Sequence, residues 1–410
     1  MSLPDLTMPV EATPRKRLKS RTLRQHLMLC LMRHIARGRL SVEFPDSYQQ
    51  IQIGAEAGSD AALRLYRDRA ITRLALGGNI GLAESYIDGD WDSPDLVGLL
   101  RFGAENLDAL ENTLSASGFR KSWNRIQHAL RSNTRKGSQR NIAFHYGLGN
   151  KFYSHWLDET MSYSSALFEN PNQGLVEAQQ AKYVRLANAV GLRSGSHILE
   201  IGCGWGGFAE TAVRGYDSNV VGLTLSREQQ RYAQDKLRAA GLSVKTDIRL
   251  QDYRDVGGIF DAVVSIEMFE AVGQENWTTY FNKVRSLLRP GGKAGIQVIT
   301  IDESRFEAYR NRPDFIQKYI FPGGMLPSPQ RFEEKARSAG LEVENKHFFG
   351  PSYAETLRLW NQKFQTRWPE ISDLGFDERF RRLWTYYLAY CEAGFQTGAI
   401  DVAQYTLVKP

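Results

Sequence analysis

The sequence predicts an α/β fold: a mostly parallel, doubly wound sheet of the Rossmann-like kind, preceded by a smaller α+β unit. Three observations carry this reading. Between residues 196 and 300, apolar runs of strand length alternate with amphipathic runs of helical period, a pattern that builds parallel strands joined by crossover helices. A glycine-rich loop, "LEIGCGWGG" at 199–207, stands between the first of these strands and the next helix. Two more strand patterns, "LEVENKHFF" and "DVAQYTLVK", lie near the C terminus.

The 410 residues suit two or three domains at roughly 100–200 residues each. Apolar residues make up 42% and charged residues 24%, enough apolar matter for a sizeable core. The net charge of +6 favours anionic partners, either nucleic acid or an anionic membrane face. Cys30, Cys203 and Cys391 are too few and too scattered for a disulfide framework, and no Cys/His cluster has metal-ligand spacing. No stretch reaches the ~18 apolar residues of a spanning helix, and the apolar run Leu27–Met32 is too short for a secretory signal. The chain reads as cytoplasmic.

Residues 1–20, with their prolines and "RKRLKS", read as a loose basic leader. Leu23, Leu27, Leu31 and Ile35 then recur every fourth residue among arginines, the pattern of a basic amphipathic helix that could lie on a membrane. "LSVEFP" and "QQIQIG" predict short strands, and "DAALRLYRDRAITRLAL" at 60–76 predicts a helix. "GLAESYIDGDWDSPDLVGLL" at 81–100 predicts a helix, a turn and a second helix with Ser93 as its cap. The polar, basic stretch at 130–141 predicts a boundary, dividing an N-terminal α+β domain at 21–135 from a domain at 140–410. In the latter, "SHILEIG", "NVVGLTLS", "VKTDIRLQDY", "FDAVVSIEMFE" and "KAGIQVIT" predict strands. "FAETAVRGY", "REQQRYAQDKLRAAG" and "NWTTYFNKVRSLLRPGG" predict the helices between them.

The glycines form G-x-G-x-x-G at Gly202, Gly204 and Gly207, which lets a backbone approach a nucleotide at a helix N-terminus. A nicotinamide site calls for an acid at the end of the second strand. That strand ends "GLTLS", without one. The acid instead precedes the glycines, at Glu200, where it can order the loop. The third strand ends with Asp252, suited to an adenine amino group, and Tyr253, suited to stack on the ring. Thr224 and Gln229 offer uncharged contacts. Together these favour S-adenosylmethionine over NAD.

The motifs "HYGLGNKFYSHWLDETMSYSSALF", "LEIGCGWGG", "VVGLTLSREQ", "MFEAVG", "IFPGGMLPS" and "PSYAETLRLW" occur in this order. In them the chain resembles the cyclopropane-fatty-acyl-phospholipid synthases and mycolic acid methyltransferases. The likeness is strong over 140–410 and extends through "ESYIDGDWDSPDL" into the N-terminal unit. It implies a class I S-adenosylmethionine-dependent methyltransferase fold, a lipid channel under a helical cover around 302–330, and an N-terminal lipid- and membrane-binding domain. The implied reaction is methyl transfer to a cis double bond of an unsaturated phospholipid acyl chain, through a carbocation that loses a proton, forming a cyclopropane. By resemblance Tyr163, Ser164, Gly202, Gly204, Thr224, Gln229, Asp252 and Tyr253 hold the cofactor, Glu270 is the active-site glutamate, and Tyr353 helps hold a bicarbonate ion that acts as base. No metal is implied.

The resemblance departs at that base. Ser165 and Gln297 stand where the family has cysteine and histidine, and Ala271 stands where a histidine is usual. Serine and glutamine still donate hydrogen bonds, so bicarbonate stays open, but neither titrates as an imidazole does. A changed base pocket leaves ring closure and a methyl- or methylene-branched product as alternatives. Phe152, Tyr153, Phe168, Phe269, Phe321 and Trp360 are candidate aromatic walls for passing positive charge. The "YIFPGGMLPS" stretch, with Gly323 and Gly324, is a candidate hinged cover. The expected partners are an unsaturated phospholipid and the anionic inner membrane face, with a homodimer left open and no nucleic acid. The rivals are an inactive lipid-binding protein on the same scaffold and an RNA methyltransferase. The intact glycine loop opposes the first, and the lack of an RNA module opposes the second.

Overall fold

The computed structural model describes residues 22–107, 109–110 and 148–410. The expected leader at 1–20, the expected boundary at 130–141 and motif residues 145–147 lie outside the described residues.

Thr22 opens α1 (Leu23–Met32) with a reciprocal capping box: its Oγ1 accepts from the Gln25 amide, and its own amide donates to Gln25 Oε1. The inward face is Gln25, Met28, Leu31 and Met32. The expected every-fourth stripe is therefore split. Leu23 and Leu27 are 87% and 39% exposed, and Ile35 lies beyond the helix end. A strict four-residue step drifts about 40° round a helix each time, so a stripe that starts outside ends inside.

Strands β1 (Arg37–Glu43), β2 (Gln49–Ile53) and β3 (Glu56–Leu65) follow. Residues 60–65, expected to be helical, complete β3. Leu63 and Leu65 alternate inward, Val42 of β1 lies opposite Leu63, and pairing on both sides overrides the helix preference of Ala and Leu. Helix α2 (Arg69–Ile87) is broken at Gly78, whose φ of 55° and ψ of −138° leave helical space. After β4 (Trp91–Asp92), α3 (Leu96–Glu105) is capped by Asp95 and not by Ser93. Asp95 Oδ1 accepts from the Gly98 amide at 2.8 Å, whereas Ser93 sits two residues too early to reach it. These strands form one sheet in the order β2-β1-β3-β4.

The larger layer begins with α4 (Asn150–Trp156) and α5 (Leu175–Ala189). It continues through β5 (His197–Ile201), α6 (Gly207–Tyr216), β6 (Asn219–Thr224), α7 (Arg227–Ala239), β7 (Thr246–Leu250), β8 (Phe260–Ile266), α8 (Trp277–Leu287) and β9 (Leu288–Ile301). Next come α9 (Glu303–Asn311), α10 (Phe315–Tyr319), α11 (Pro329–Ser338) and β10 (Glu342–Phe348). The chain closes with α12 (Gly350–Thr366), α13 (Trp368–Ser372), α14 (Glu378–Gln396) and β11 (Ile400–Val408). The sheet order is β10-β11-β9-β8-β5-β6-β7. The five strands from β9 to β7 are parallel, and β11 runs antiparallel to both its neighbours. The order reverses beside β5, and a crevice opens at such a switch point outside the carboxyl ends of the strands.

The smaller sheet is docked through α2 and α3 onto α14. Arg382 of α14 donates to the Tyr86 and Trp91 carbonyls at 2.5 and 2.8 Å, pairs with Asp92 at 3.1 Å, and lies 3.9 Å from the Tyr86 ring centroid. The cover helix α10 adds Lys318 and Tyr319, both donating to Glu84 of α2 at 2.7 and 2.5 Å. Replacing Arg382 by alanine takes a donor from two largely buried carbonyls, of which that of Tyr86 keeps the Gly89 amide at 2.9 Å, and leaves Asp92 without this ion-pair partner. We expect Arg382→Ala to lower the unfolding free energy in urea by about 2–3 kcal/mol. Arg382→Lys, which keeps the charge but not the planar fork, should recover less than half of that.

Candidate active site

The glycine loop leaves β5 at the switch point. Gly202 and Gly204 have φ of 84° and 51°. A Cβ at Gly202 would stand 2.9 Å from Met268 Cγ, whereas one at Gly204 would meet nothing within 4 Å, because Gly204 faces an open cavity. That cavity, about 1350 Å³, runs from the loop past Thr224, Gln229, Asp252 and Tyr253 to Glu267, Glu270 and Tyr353. It continues without interruption into an apolar chamber walled by Met28, Leu31, Leu40, Leu63, Leu99 and Phe102 of the N-terminal unit.

Three glutamates line it. Glu200, at the end of β5, keeps a buried Oε2 with no hydrogen-bond partner, and burial pushes its carboxyl up to about 8. Glu270 accepts from the Ile299 amide at 2.6 Å through Oε1, while its Oε2 also lacks a partner. Burial, and then the nearby charge of Glu267, push Glu270 up to about 8. Glu267 is the best-served of the three. Its Oε1 accepts from the Ser165 amide and Gln297 Nε2, both at 2.8 Å, and its Oε2 accepts from Tyr353 Oη at 2.6 Å. Burial raises its pKa, while Tyr353, Lys182, Gln297 and Ser165 oppose the rise. Lys182 is fully buried behind the site, where it donates to Ser164 Oγ at 2.6 Å, and burial lowers it to about 8.

Of the expected cofactor residues, all eight line the cavity. Tyr163 shares a 2.8 Å hydroxyl contact with Tyr387, and Thr224 Oγ1 donates to Gln229 Oε1 at 2.8 Å. Asp252 is gripped by Arg254 at 2.6 Å, so an adenine would share that carboxylate. Glu270 and Tyr353 line the cavity, but Ser165 and Gln297 do not; they lie behind Glu267 and spend donors on it. Ser165 Oγ donates to the neighbouring Ala166 carbonyl instead. The three groups expected around a bicarbonate thus converge on a carboxylate of the chain itself. Among the six expected aromatic walls, Phe321 lines the cavity; Phe152, Tyr153, Phe168, Phe269 and Trp360 do not. Phe152 and Trp360 pack into an aromatic cluster around Trp156, which backs Tyr163. The "YIFPGGMLPS" cover is tied to the site, since the Met325 amide donates to the Glu270 carbonyl at 2.8 Å.

Glu267 and Lys182 escaped the sequence reading. Each left a signal. Glu267 directly follows β8 beside the switch point, and Glu200 is the last residue but one of β5. Lys182 falls on the inward stripe Ala178, Lys182, Leu186 of α5, where a lone cation is costly unless it has a job. The raised carboxyl of Glu200 gives a pH test. From its ordinary value to about 8 the unfolded chain ionises at this residue while the folded chain holds the proton, so wild-type stability falls across that window. Glu200→Gln should gain on the wild type between about pH 5 and 8, by at most ~1.4 kcal/mol per pH unit. It should gain nothing below about pH 4; urea unfolding at several pH values reads this out.

The model of the mycolic acid cyclopropane synthetase family matches residues 133–405. The tuberculostearic acid methyltransferase UfaA1 of Mycobacterium tuberculosis is 42% identical over 372 residues, covering 87% of this chain and 85% of that protein. The cyclopropane-fatty-acyl-phospholipid synthase of Escherichia coli is 37% identical over 361 residues, covering 86% and 89%. The solved structure of the mycolic acid cyclopropane synthase CmaA1 with SAH and CTAB aligns at a TM-score of 0.62 and 33% identity, over 66% of this chain and 98% of that one. With the switch-point cavity and glycine loop already in place, these matches establish that the chain belongs to the mycolic acid cyclopropane synthetase family of methyltransferases.

Proposed function

We propose that the protein catalyses S-adenosylmethionine-dependent methyl transfer to the cis double bond of an unsaturated phospholipid acyl chain, with closure to a cyclopropane as the first reading. The observation that carries this is the continuity of one cavity from the glycine loop, past paired carboxylates, into an apolar chamber. The cofactor fits the residues present. Gly204 leaves room for it, Glu200 and Glu270 each hold a partnerless buried oxygen nearby, and Thr224 and Gln229 form an uncharged pair beside the loop. Tyr163, Ser164, Gly202, Gly204, Thr224, Gln229, Asp252 and Tyr253 would hold it. When bound, it supplies a methyl group on a positively charged sulfur.

The chain's own contribution is placement and dryness. An alkene is a weak nucleophile, so the apolar chamber must fix its double bond against the loop side of the cavity. Transfer leaves positive charge on the acyl chain, and the rings of Tyr163, Tyr353 and Phe321, which line the cavity, present faces that favour it. A proton must then leave. A second reading, a methyl- or methylene-branched product, is favoured by the engagement of Ser165 and Gln297 with Glu267, which alters where a proton acceptor can stand, and by the methyltransferase among the relatives. Incubation of the protein, S-adenosylmethionine with a fully deuterated methyl, and liposomes of cis-monounsaturated phospholipid separates the readings by mass spectrometry of the acyl esters. Loss of one deuterium is expected for the ring or a methylene branch, which hydrogenation then tells apart. Full retention means the proton came from the chain, as a methyl-branched alkene requires. Absence of label in every lipid refutes both.

Among the described residues no helix is long and apolar enough to cross a membrane. Access to a bilayer lipid is assigned to α1 and α2, working from the cytoplasmic, anionic face. Both helices line the apolar chamber, through Met28 and Leu31 and through Leu74 and Gly78. Both also turn leucines outward: Leu23, Leu27 and Leu76 are exposed, Leu76 by 71%, with Arg24 exposed beside Leu23. Such a surface suits shallow insertion into an anionic interface. The double variant Leu23→Asp/Leu27→Asp should bind S-adenosylhomocysteine as the wild type does, yet lose on the order of tenfold in liposome activity. Unchanged flotation with anionic vesicles would remove the role.

A further inference from the structure

We infer that Glu267 is the proton acceptor of the reaction, an internal carboxylate standing where a bound small anion would otherwise be needed; this rests on the methyl-transfer reading above. The acids lining the cavity differ sharply in their ties. Asp252 is clamped by Arg254. Asp314 caps α10, its Oδ1 accepting from the Gln317 amide at 2.9 Å. Glu200 sits at the glycine loop, and its Oε2 has no hydrogen-bond partner. Glu270 has one backbone donor and one partnerless oxygen, and burial and the nearby charge of Glu267 both favour its protonated form. Glu267 receives three donors from three separate segments: the loop before α5, β9 and α12. Charge-assisted donors of this kind favour the ionised form.

Two of the donors, Gln297 and Tyr353, are themselves fixed. Gln297 Oε1 accepts from Gln404 Nε2 at 3.0 Å, which leaves the Gln297 Nε2 group to face Glu267. The Tyr353 ring stacks on Phe395 with centroids 4.4 Å apart. The backbone is committed too. Glu267 has φ of 49°, a left-handed conformation in a residue with a side chain, held by its amide donating to the Gln297 carbonyl at 2.8 Å. Strain of this sort clusters where a side chain must be aimed. Ser165, Gln297 and Tyr353 are therefore positioning residues, and Glu267 is the group that meets the reacting C–H. That bond breaks, and its electron pair forms the last ring bond, or a double bond in a branched product. The proton passes to the Glu267 carboxylate and leaves to water with the product. No oxidant or reductant is needed.

The test uses the full chain in carbonate-free, argon-purged buffer with labelled S-adenosylmethionine and cis-monounsaturated phospholipid liposomes. Wild-type activity should not respond to added bicarbonate. Glu267→Gln should lose on the order of 100-fold or more while its circular dichroism and its calorimetric binding of S-adenosylhomocysteine stay intact. Glu267→Gly suits the left-handed φ and leaves three donors around a gap; formate or bicarbonate should restore part of its activity, which a merely structural role would not allow. Wild-type activity that rises with bicarbonate, or Glu267→Gln activity within about tenfold of wild type, overturns the assignment. So does loss in both variants without rescue by either anion. A wild type that labels no lipid overturns the methyl-transfer reading, and the assignment falls with it; a wild type that labels lipid while Glu267→Gln does so equally overturns the assignment alone.

Discussion

A carboxylate removed from water carries a penalty of several kcal/mol even after relaxation, and the catalytic half of this protein is arranged around meeting that penalty at Glu267. A hydrogen bond to a charged group contributes about 1.5–3 kcal/mol, so three of them together can offset it. The donors come from elements far apart in sequence: Ser165 before α5, Gln297 in the centre of β9, and Tyr353 in α12. Two of them are held by a further contact, Gln297 by Gln404 of β11 and Tyr353 by Phe395 of α14. The register of β9 against β11, which sets Gln297 opposite Gln404, is thereby coupled to the charge state of the site. Lys182 belongs to the same problem. A buried ammonium and buried acids lower one another's cost, and Ser164, which lines the cavity, is held by that lysine.

The second constraint is apolar. A crevice at the switch point of a parallel sheet is open to solvent, and the proposed reaction, through a cation on an acyl chain, has to exclude it. The N-terminal unit supplies the closing wall. Its chamber residues extend the cavity, and Arg382, Lys318 and Tyr319 fasten α2 and the β3–β4 corner to α14 and the cover. These anchors sit outside the chamber, so the polar groups that dock the two units do not intrude on the lipid path. The cover is linked to chemistry as well as to docking, because the Met325 amide bonds the carbonyl of Glu270 itself.

How much of this was legible in the sequence depended on whether the controlling interaction was local. The strands around the glycine loop were readable because a parallel strand buried on both faces shows as an apolar run, as in "HILEI" and "NVVGLT". Residues 60–65 were misread because "AALRL" has helix-forming side chains and only its pairing with β1 makes it a strand. Ser93 was read as the cap because a serine before proline looks like one, and the exact start of the helix, which makes Asp95 the cap, is not visible locally. The α1 stripe was drawn at a four-residue step when the buried face follows Met28, Leu31 and Met32. The glycine-loop side of the cavity was legible because it is built from contiguous motifs, and the eight residues expected there all line it. Glu267 was not, since its meaning lies in donors about 30 to 100 residues away in the chain.

The aromatic residues make the same point in chemical terms. The sequence reading selects four phenylalanines, Tyr153 and Trp360 as the walls of an apolar channel, yet five of the six rings selected stand away from the cavity. The cavity wall is instead rich in tyrosine: Tyr163, Tyr253, Tyr353, Tyr386, Tyr387 and Tyr390. A buried tyrosine usually places its hydroxyl on a partner, and such a bond pins the ring. Tyr163 and Tyr387 bond to one another, and Tyr353 bonds to Glu267. A phenylalanine in the same place would be held by packing alone and could rotate as the chain beside it moves. Phe152, Trp156 and Trp360 then serve as the rigid backing that keeps Tyr163 in place. The proposed reaction, which presents ring faces to a passing positive charge, gains from rings whose orientation is fixed before the charge arrives, and at Tyr163, Tyr353 and Tyr387 a hydrogen-bonded hydroxyl fixes the ring.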